Sequence, residues 1–343
     1  MKLNFKQKYI PLMATILVWV LIYWLASLRF PGILSGNVLL NLFTDNAFLG
    51  ICAIGMTFVI LSGGIDLSVG AVIGCTSIGI AAMLRDFHLH PVVAIGIVLL
   101  LGTFYGAAMG SLIHFFKLPP FMVTLAGMFL TRGLGFVISV NSIPINHPFF
   151  SNLANFGLPV ADGYLTVVGL VFIGVTGMGI WIAQQTKFGR TTYAIGGNEL
   201  SANLMGLKVG ATKVKIYALN GFCAALAGVV YTLYTLSGNA WAGRFLEMDA
   251  IAAVIIGGTL LTGGVGYVFG TMFGVLILGT IQTVITFDGT LSSWWTKIAV
   301  GMLLSIFIIL QRFLSDTSFS KRLGNLFGRQ AALGKSQESS SNS

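Results

Sequence analysis

The chain has 343 residues, of which 56% are hydrophobic and only 8% are charged, and its net charge is +9. A soluble domain carries about 25% charged residues, so the composition excludes an ordinary soluble protein. Apolar runs near 20 residues long favour helices that cross a lipid bilayer, because a helix satisfies its own backbone hydrogen bonds there. We therefore predict an all-α, polytopic membrane protein.

Ten membrane-spanning helices are predicted in chain order. A first run after the N-terminal lysines is too long for the apolar core of a signal peptide, and more spans follow it, so we interpret it as a retained first span. Span 4 carries Gly102, Gly106 and Gly110, a spacing that lets helix backbones approach closely in lipid. The predicted spans are 9–28, 46–61, a third ending near 84, 91–115, 121–140, 163–183, 216–236, 250–261, 265–285 and a tenth ending near 310.

The basic residues predict the orientation of these spans. Three Lys lie in the N-terminal tail, five Lys/Arg lie in the loop 184–215, and five follow from Arg312 onward, which together are 13 of the 19 in the chain. Short loops rich in Lys and Arg stay on the cytoplasmic side, so this distribution indicates orientation rather than nucleic-acid binding. It predicts a membrane domain over 1–312 with a cytoplasmic loop at 184–215, and a disordered cytoplasmic tail at 313–343.

An internal repeat links the two halves. The segment SGGIDLSVGAVIGCTSIG begins at Ser62, and TGGVGYVFGTMFGVLILG begins at Thr262. Each half joins a descending span to an ascending one, so the repeat is predicted to be parallel. Glycine-interrupted segments in matching places of two halves point to a transport pathway, although two similar packing helices would give the same pattern. The repeated glycines that we single out are Gly63, Gly64, Gly263 and Gly264.

Asp66 in the first copy stands where the second copy has Gly266. One interpretation is structural: Asp66 accepts hydrogen bonds from the backbone N–H groups near Ser68 and Val69 and caps the next helix. The other makes Asp66 part of a gate, or a partner of Arg132 in span 5, because an unpaired charge inside a membrane is costly. Both interpretations remain open from the sequence.

The loop 184–215 contains a predicted two-turn helix. Asn198 is a favourable N-cap, Glu199 suits the positive end of the helix dipole, and Gly206 can end the helix in a left-handed turn. So short a helix needs external support. Leu200 and Leu204 share one face, as binding in a partner's groove requires, but packing on the chain's own membrane domain is equally compatible with the sequence.

Nothing in the sequence indicates that the chain catalyses a reaction. It lacks a P-loop and therefore an ATP site of its own, and it lacks GxGxxG, HExxH, GxSxG and CxxC patterns. The three cysteines Cys52, Cys75 and Cys223 lie in apolar runs without metal-ligand spacing, which favours buried packing residues. The spans hold too few carboxylates for an ordinary proton relay, so a transporter of this kind needs energy from another subunit.

Four motifs in order resemble the permease subunits of ribose-type bacterial ABC sugar importers: GMTFVILSGGIDLSVG, LPPFMVTLAGMFLTRGL, FGRTTYAIGGNELSANLMGL and DAIAAVIIGGTLLTGGVGYVFGT. The resemblance implies an inner-membrane subunit that binds no cofactor and pairs with a second permease. It also implies a cytoplasmic ATPase, which hydrolyses ATP, and a periplasmic sugar-binding protein. In that family the central loop carries the ATPase-coupling helix, and GNELSANLMG matches this helix. The family often has Glu-Ala-Ala there, whereas this chain has Glu-Leu-Ser-Ala. The implied coupling residues are Asn198, Glu199, Leu200, Ser201, Ala202, Leu204 and Gly206.

Two outer segments give a narrower resemblance. SIPINHPFF, beginning at Ser142, and FDGTLSSWWTKIAVG, beginning at Phe287, are similar to the permease subunit of a galactofuranose importer. The resemblance therefore implies galactofuranose as the cargo, with another sugar such as ribose as the alternative. A self-sufficient secondary transporter is the alternative of a different class, and a membrane-embedded enzyme or scaffold is disfavoured by the missing catalytic patterns.

Overall fold

The computed structural model describes residues 10–160, 162–292 and 294–315, and the predictions for the basic N-terminal tail and for the end of the C-terminal tail lie outside these residues. A 3-10 turn (Pro31–Leu34) and four short strands accompany the helices: β1 (Ile143–Pro144), β2 (Gly157–Val160), β3 (Gly163–Thr166) and β4 (Ser237–Gly238). The helices are α1 (Ile10–Arg29), α2 (Gly36–Asp45), α3 (Ala47–Leu61), α4 (Val69–Asp86), α5 (Pro91–Phe115), α6 (Pro120–Ile138), α7 (Pro148–Asn155), α8 (Val167–Gln185), α9 (Lys187–Gly197), α10 (Glu199–Leu204), α11 (Val209–Thr235), α12 (Leu246–Ile256), α13 (Val268–Asp288) and α14 (Trp294–Ser315).

The prediction of an all-α polytopic membrane protein is confirmed. Within the described residues, seven helices are long and apolar enough to cross a membrane, and α2 with α3, bent by 55°, form an eighth candidate. Each of the ten predicted spans contains a helix, but ten exceeds the number that satisfies this length criterion. The clearest reason is α12, whose 11 residues rise only about 16 Å against a hydrocarbon core of about 30 Å.

Helix α11 packs against α3, α4 and α5. The predicted glycine face of α5 is part of this packing: a Cβ on Gly106 would overlap the Tyr217 carbonyl oxygen, and one on Gly110 would lie 2.9 Å from the Val214 Cα. Glycine thus allows the two backbones to touch. Most of α11 is buried, whereas the outer face of α5 exposes Leu100 and Phe104, as a helix in contact with lipid would.

The two halves of the repeat have the same local architecture. A helix (α3 or α12) ends in a glycine-rich break (62–68 or 257–267), and a longer helix (α4 or α13) leaves from it. The breaks contact each other through the backbone, since the Gly264 N–H donates to the Leu61 carbonyl oxygen at 2.9 Å. Matching ends of the two halves therefore meet, which agrees with the predicted parallel repeat.

The segment 141–162 lies between the fifth and sixth predicted spans, where we expect an outer loop, and it is more ordered than its Asn, Pro and Ser content indicates. Strand β1 pairs antiparallel with β4, and β2 forms a hairpin with β3. Helix α7 lies between β1 and β2 in the chain. It begins with a cap in which His147 Nδ1 accepts a hydrogen bond from the Phe149 N–H at 3.1 Å. Short local hydrogen bonds of this kind are poorly indicated by hydropathy, which is why the sequence predicted only a loop.

Candidate functional site

The predicted short helix exists as α10, and its ends are capped as the sequence indicated. Asn198 Oδ1 accepts a hydrogen bond from the Ser201 N–H at 2.8 Å. Glu199, in the first turn, forms a 2.7 Å ion pair with Lys213 on α11. Gly206 follows the last turn with a φ of +77°, the left-handed conformation that glycine adopts without strain. The helix is thus fixed at both ends and tied to the next span.

Helix α10 has one buried face and one exposed face. Ala202 is fully buried against Ile195 and Val209. In contrast, Leu200 and Leu204 are 69% and 79% exposed. The two interpretations left open by the sequence are therefore compatible: the chain's own domain holds the helix in place, and a pair of leucines remains free of it. Whether these residues couple to an ATPase stays a prediction.

Helix α9, which was not predicted from the sequence, positions α10. Its N-cap is Thr186, whose hydroxyl oxygen accepts from the Gly189 N–H at 3.1 Å. Near its other end, the Tyr193 hydroxyl donates to the Gly266 carbonyl oxygen in the second break at 2.9 Å. Burial raises the pKa of Tyr193 to about 12, so the phenol is a neutral donor at physiological pH. Loop 184–215 is therefore mostly helical and is anchored to the repeat.

Three backbone segments meet at the C-terminal end of α9, and we call this contact the glycine junction: residues 61–64, 196–197 and 263–266. Gly196 lies against the Leu61 carbonyl oxygen and the Gly264 N–H, so that a Cβ at Gly196 would overlap both. A Cβ on Gly264 would lie 2.7 Å from the Gly197 nitrogen. Both predicted glycine pairs are here, Gly63 and Gly64 in the first break and Gly263 and Gly264 in the second. Segment 196–197 of the junction lies directly before α10 in the chain. The sequence did not predict that the other two segments contact it.

Asp66 is part of a buried polar cluster on the first break. Its Oδ1 accepts from the Ser68 N–H at 2.8 Å and from the Ser68 hydroxyl at 2.6 Å. Its Oδ2 accepts from Asn220 Nδ2 on α11 at 2.8 Å. Charge-assisted hydrogen bonds of this kind offset the cost of burying a carboxylate. The contact with Ser68 agrees with the structural interpretation, although the turn closes one residue before α4 begins and no hydrogen bond to Val69 accompanies it.

Arg132 is not the partner of Asp66. Its Nη1 donates to the carbonyl oxygens of Ala240 and Ala242, each at 2.7 Å, and it lies beside Gly74 on α4. Arg132 thus holds the segment between β4 and α12, whereas the oxygens of Asp66 bind Ser68 and Asn220. The structure therefore corrects the pairing that the sequence left open. A gating role for either residue remains a prediction.

Asn220 is a site residue that was not predicted from the sequence. It is completely buried, and a polar amide within an otherwise apolar span is the signal that would have marked it. Tyr193 gave no such signal, because a tyrosine in a loop rich in basic residues suggests no particular partner.

The predicted burial of the cysteines holds for Cys52 and Cys223, while Cys75 is partly exposed.

Comparisons with known proteins agree on one family. A family model described as the permease component of a branched-chain amino acid transport system matches residues 38–308. The inner membrane ABC transporter permease protein YjfF of Escherichia coli (strain K12) is 54% identical over 90% of this chain and 94% of that protein. The ribose import permease protein RbsC of Bacillus subtilis (strain 168) is 39% identical over 84% of this chain and 88% of that protein.

A third relative is the fructose import permease protein FruG of Bifidobacterium longum (strain NCC 2705). It is 36% identical over 92% of this chain and 94% of its own length. No solved structure matches the chain.

Proposed function

The chain belongs to the family of ABC-transporter permease components that matches residues 38–308, and on that premise we propose that it is the membrane-spanning subunit of an ATP-driven monosaccharide importer. It does not hydrolyse ATP itself. Its partners are a cytoplasmic ABC ATPase, a second permease subunit that makes a heterodimer with it, and a periplasmic sugar-binding protein. The complex resides in the bacterial inner membrane, and the N- and C-termini face the cytoplasm.

The observation that carries this proposal is the exposed face of α10. Leu200 and Leu204 stand out from a helix that is otherwise capped, ion-paired and packed. A groove on another protein that accepts these two leucines would bury apolar surface worth about 1.5–3 kcal/mol for each side chain. An ATPase bound there would contact a helix that is fixed to the membrane domain.

The glycine junction provides a route from α10 to the membrane. Movement of α10 pulls on α9, whose end is held between the two breaks by the Tyr193–Gly266 hydrogen bond and by backbone contact. We propose that ATP binding moves this assembly and shifts α4 and α13, which both start at the breaks. Backbone contacts without interlocking side chains allow such a shift. Alternating access would follow, with the pathway opening first to the binding protein and then to the cytoplasm.

The cargo is proposed to be a sugar rather than a branched-chain amino acid. The family description names amino acids, but the relatives RbsC and FruG are named for ribose and fructose import, and the identity to them is 39% and 36%. The finer proposal is galactofuranose, supported by the similarity of the segments 142–150 and 287–301 to the permease of a galactofuranose importer. Ribose is the alternative.

Reconstitution tests the proposal against a secondary transporter. The chain is placed in liposomes with the proposed ATPase and sister permease, and with the loaded binding protein inside or outside. We expect uptake of labelled sugar only when ATP is present on the side of α10 and the binding protein is on the opposite side. Accumulation by the chain alone on an ion gradient would overturn the proposal, and leucine uptake by the complete complex would overturn the choice of sugar.

A further inference from the structure

A cavity of about 250 Å³ lies where the starts of α3 and α12 meet the C-terminal half of α13 and the first turns of α14. Six of its ten lining residues are polar, which is more than a ligand pocket usually contains. Its volume is slightly below the range of about 300–1,000 Å³ for drug-sized ligands, so it suits a smaller molecule. The polar lining residues are Asn46, Asp249, Gln282, Thr286, Thr296 and Lys297.

The cavity is at the opposite end of the helices from the glycine junction. Along α13, Gln282 follows Val268 by 14 residues, or about 21 Å of helix. Along α3, Leu49 precedes Leu61 by 12 residues, or about 18 Å. Both distances are a large part of the hydrocarbon thickness of about 30 Å. If α10 faces the cytoplasm, the cavity therefore opens toward the outer surface.

The polar groups suit an uncharged polyhydroxy molecule. Asp249 and Lys297 neutralise each other, with Lys297 Nζ 2.8 Å from Asp249 Oδ1, so neither charge is free to select an ion. Both remain partly exposed, at 23% and 46% of their side chains, and can accept and donate further hydrogen bonds. Two amides and two hydroxyls add both donors and acceptors. Sugar hydroxyls need this mixture because each one can donate and accept.

The repeat shows that the pair of helices can be built without two of these polar residues. The positions 200 residues before Asp249 and Gln282 are Leu49 and Ala82, which are apolar. The comparison holds for these two positions alone, since Thr286 matches Asp86 and the first half supplies Asn46 to the same cavity. Asp249 and Gln282 are therefore the lining residues whose polarity packing explains least.

From this placement and chemistry we infer that the cavity is a weak monosaccharide site at the outer mouth of the permease, which receives sugar released by the binding protein. The inference rests on the proposed function, because it takes the sugar class from there. The open, water-accessible lining suits a site that releases its ligand quickly, as a transport pathway requires.

Thiol labelling in the assembled complex tests the site. Thr286→Cys introduces a thiol of similar size on the cavity wall, and Thr290→Cys places one in the exposed turn outside it as the control. The wild-type chain, in which Cys52 and Cys223 are buried and Cys75 is partly exposed, gives the background. Cells are treated with a membrane-impermeant maleimide, with and without D-ribose, D-galactose or D-fructose at millimolar concentration and with glycine betaine as the non-sugar control.

We expect labelling of Thr286→Cys from outside, slowed at least fivefold by the sugar that the complex transports, and unslowed labelling of Thr290→Cys. Gln282→Leu removes one amide and should raise the half-protecting sugar concentration about tenfold, since one lost hydrogen bond is worth roughly 1.4 kcal/mol. Thr283→Val, one residue further along α13 and outside the cavity, should leave that concentration unchanged.

The failures of the site and of the proposed function are distinguishable. Labelling only from inside-out vesicles, no labelling from either side, or labelling without protection would overturn the site while ATP-driven sugar uptake continues. A half-protecting concentration that Gln282→Leu changes less than twofold would also overturn it. If the complete wild-type complex takes up no sugar at all, the proposed function itself is refuted.

Discussion

Replacing Gly196 with alanine is the most direct test of the glycine junction. The added methyl group would overlap the Leu61 carbonyl oxygen and the Gly264 nitrogen, and it would lie 2.9 Å from the Leu61 carbonyl carbon. Ordinary contacts of a Cβ begin near 3.4 Å, so the carbonyl carbon must retreat about 0.5 Å and its oxygen further. The 2.9 Å hydrogen bond between Gly264 and Leu61 would not survive this displacement.

The energetic cost follows from these two effects. Forcing a methyl group into packed backbone costs about 1–3 kcal/mol, and leaving a buried backbone pair unsatisfied costs about 1–3 kcal/mol more. We therefore expect Gly196→Ala to weaken the junction by about 2–5 kcal/mol. A methyl group on the neighbouring Gly197 would meet open space, with no contact inside 4 Å, so Gly197→Ala should be neutral or slightly stabilising, by up to about 1 kcal/mol.

The assay compares the two alanine variants in the reconstituted complex. Because Leu200 and Leu204 remain exposed, Gly196→Ala should still bind the ATPase, but sugar uptake per ATP hydrolysed should fall at least tenfold. Gly197→Ala should match the wild type. Equal coupling in both variants would refute the reasoning. If Gly196→Ala fails to assemble, Tyr193→Phe, which removes only the hydrogen bond to Gly266, should still lower the uptake per ATP.

Three further predictions concern single residues. Gly206→Val should weaken coupling, because the φ of +77° at this position costs a β-branched residue more than about 1 kcal/mol. Asparagine tolerates this conformation, so Gly206→Asn should keep most of the transport rate; equal transport rates of the two variants would contradict this prediction. Leu204→Asp should lower ATPase binding in a pull-down at least tenfold, whereas Asn203→Asp, which adds the same charge to the same exposed helix, should change it less than twofold. Asp66→Asn should lower the unfolding free energy by about 1–3 kcal/mol because an NH2 group then replaces Oδ2 and faces the donating NH2 group of Asn220, and adding Asn220→Asp, whose carboxylate can accept from that NH2 group, should restore part of it; thermal unfolding in detergent measures both, and no recovery would refute the contact.

Hydropathy and local capping predicted the elements of this fold well. Helix α5 has the predicted bounds 91–115, and α10 begins after Asn198 and stops before Gly206 as its capping residues indicated. These features depend on residues within one or two turns of each other. The length criterion does not reproduce all ten predicted spans, because α12 is stopped by Gly257 and Gly258 well before it could cross a bilayer.

The site was less predictable because its contacts join distant parts of the chain. Gly63 and Gly263 stood out through the repeat, but nothing local showed that Gly196 lies between the breaks. Backbone-to-backbone contact leaves no side-chain pattern in the sequence. Pairing of Asp66 with Arg132, one of the alternatives left open, is absent for a related reason: carbonyl oxygens and an amide, which carry no formal charge, satisfy the two charged groups instead.

The order of synthesis gives the glycine junction a further consequence. The first break and α9 leave the ribosome before the second break at 257–267 exists, so on a nascent chain Tyr193 has no carbonyl of Gly266 to bind. A chain that ends before that point lacks the second break, which is one of the two segments that contact the end of α9. The contacts that hold α9 against both breaks are thus complete only in polypeptides extended beyond Gly266.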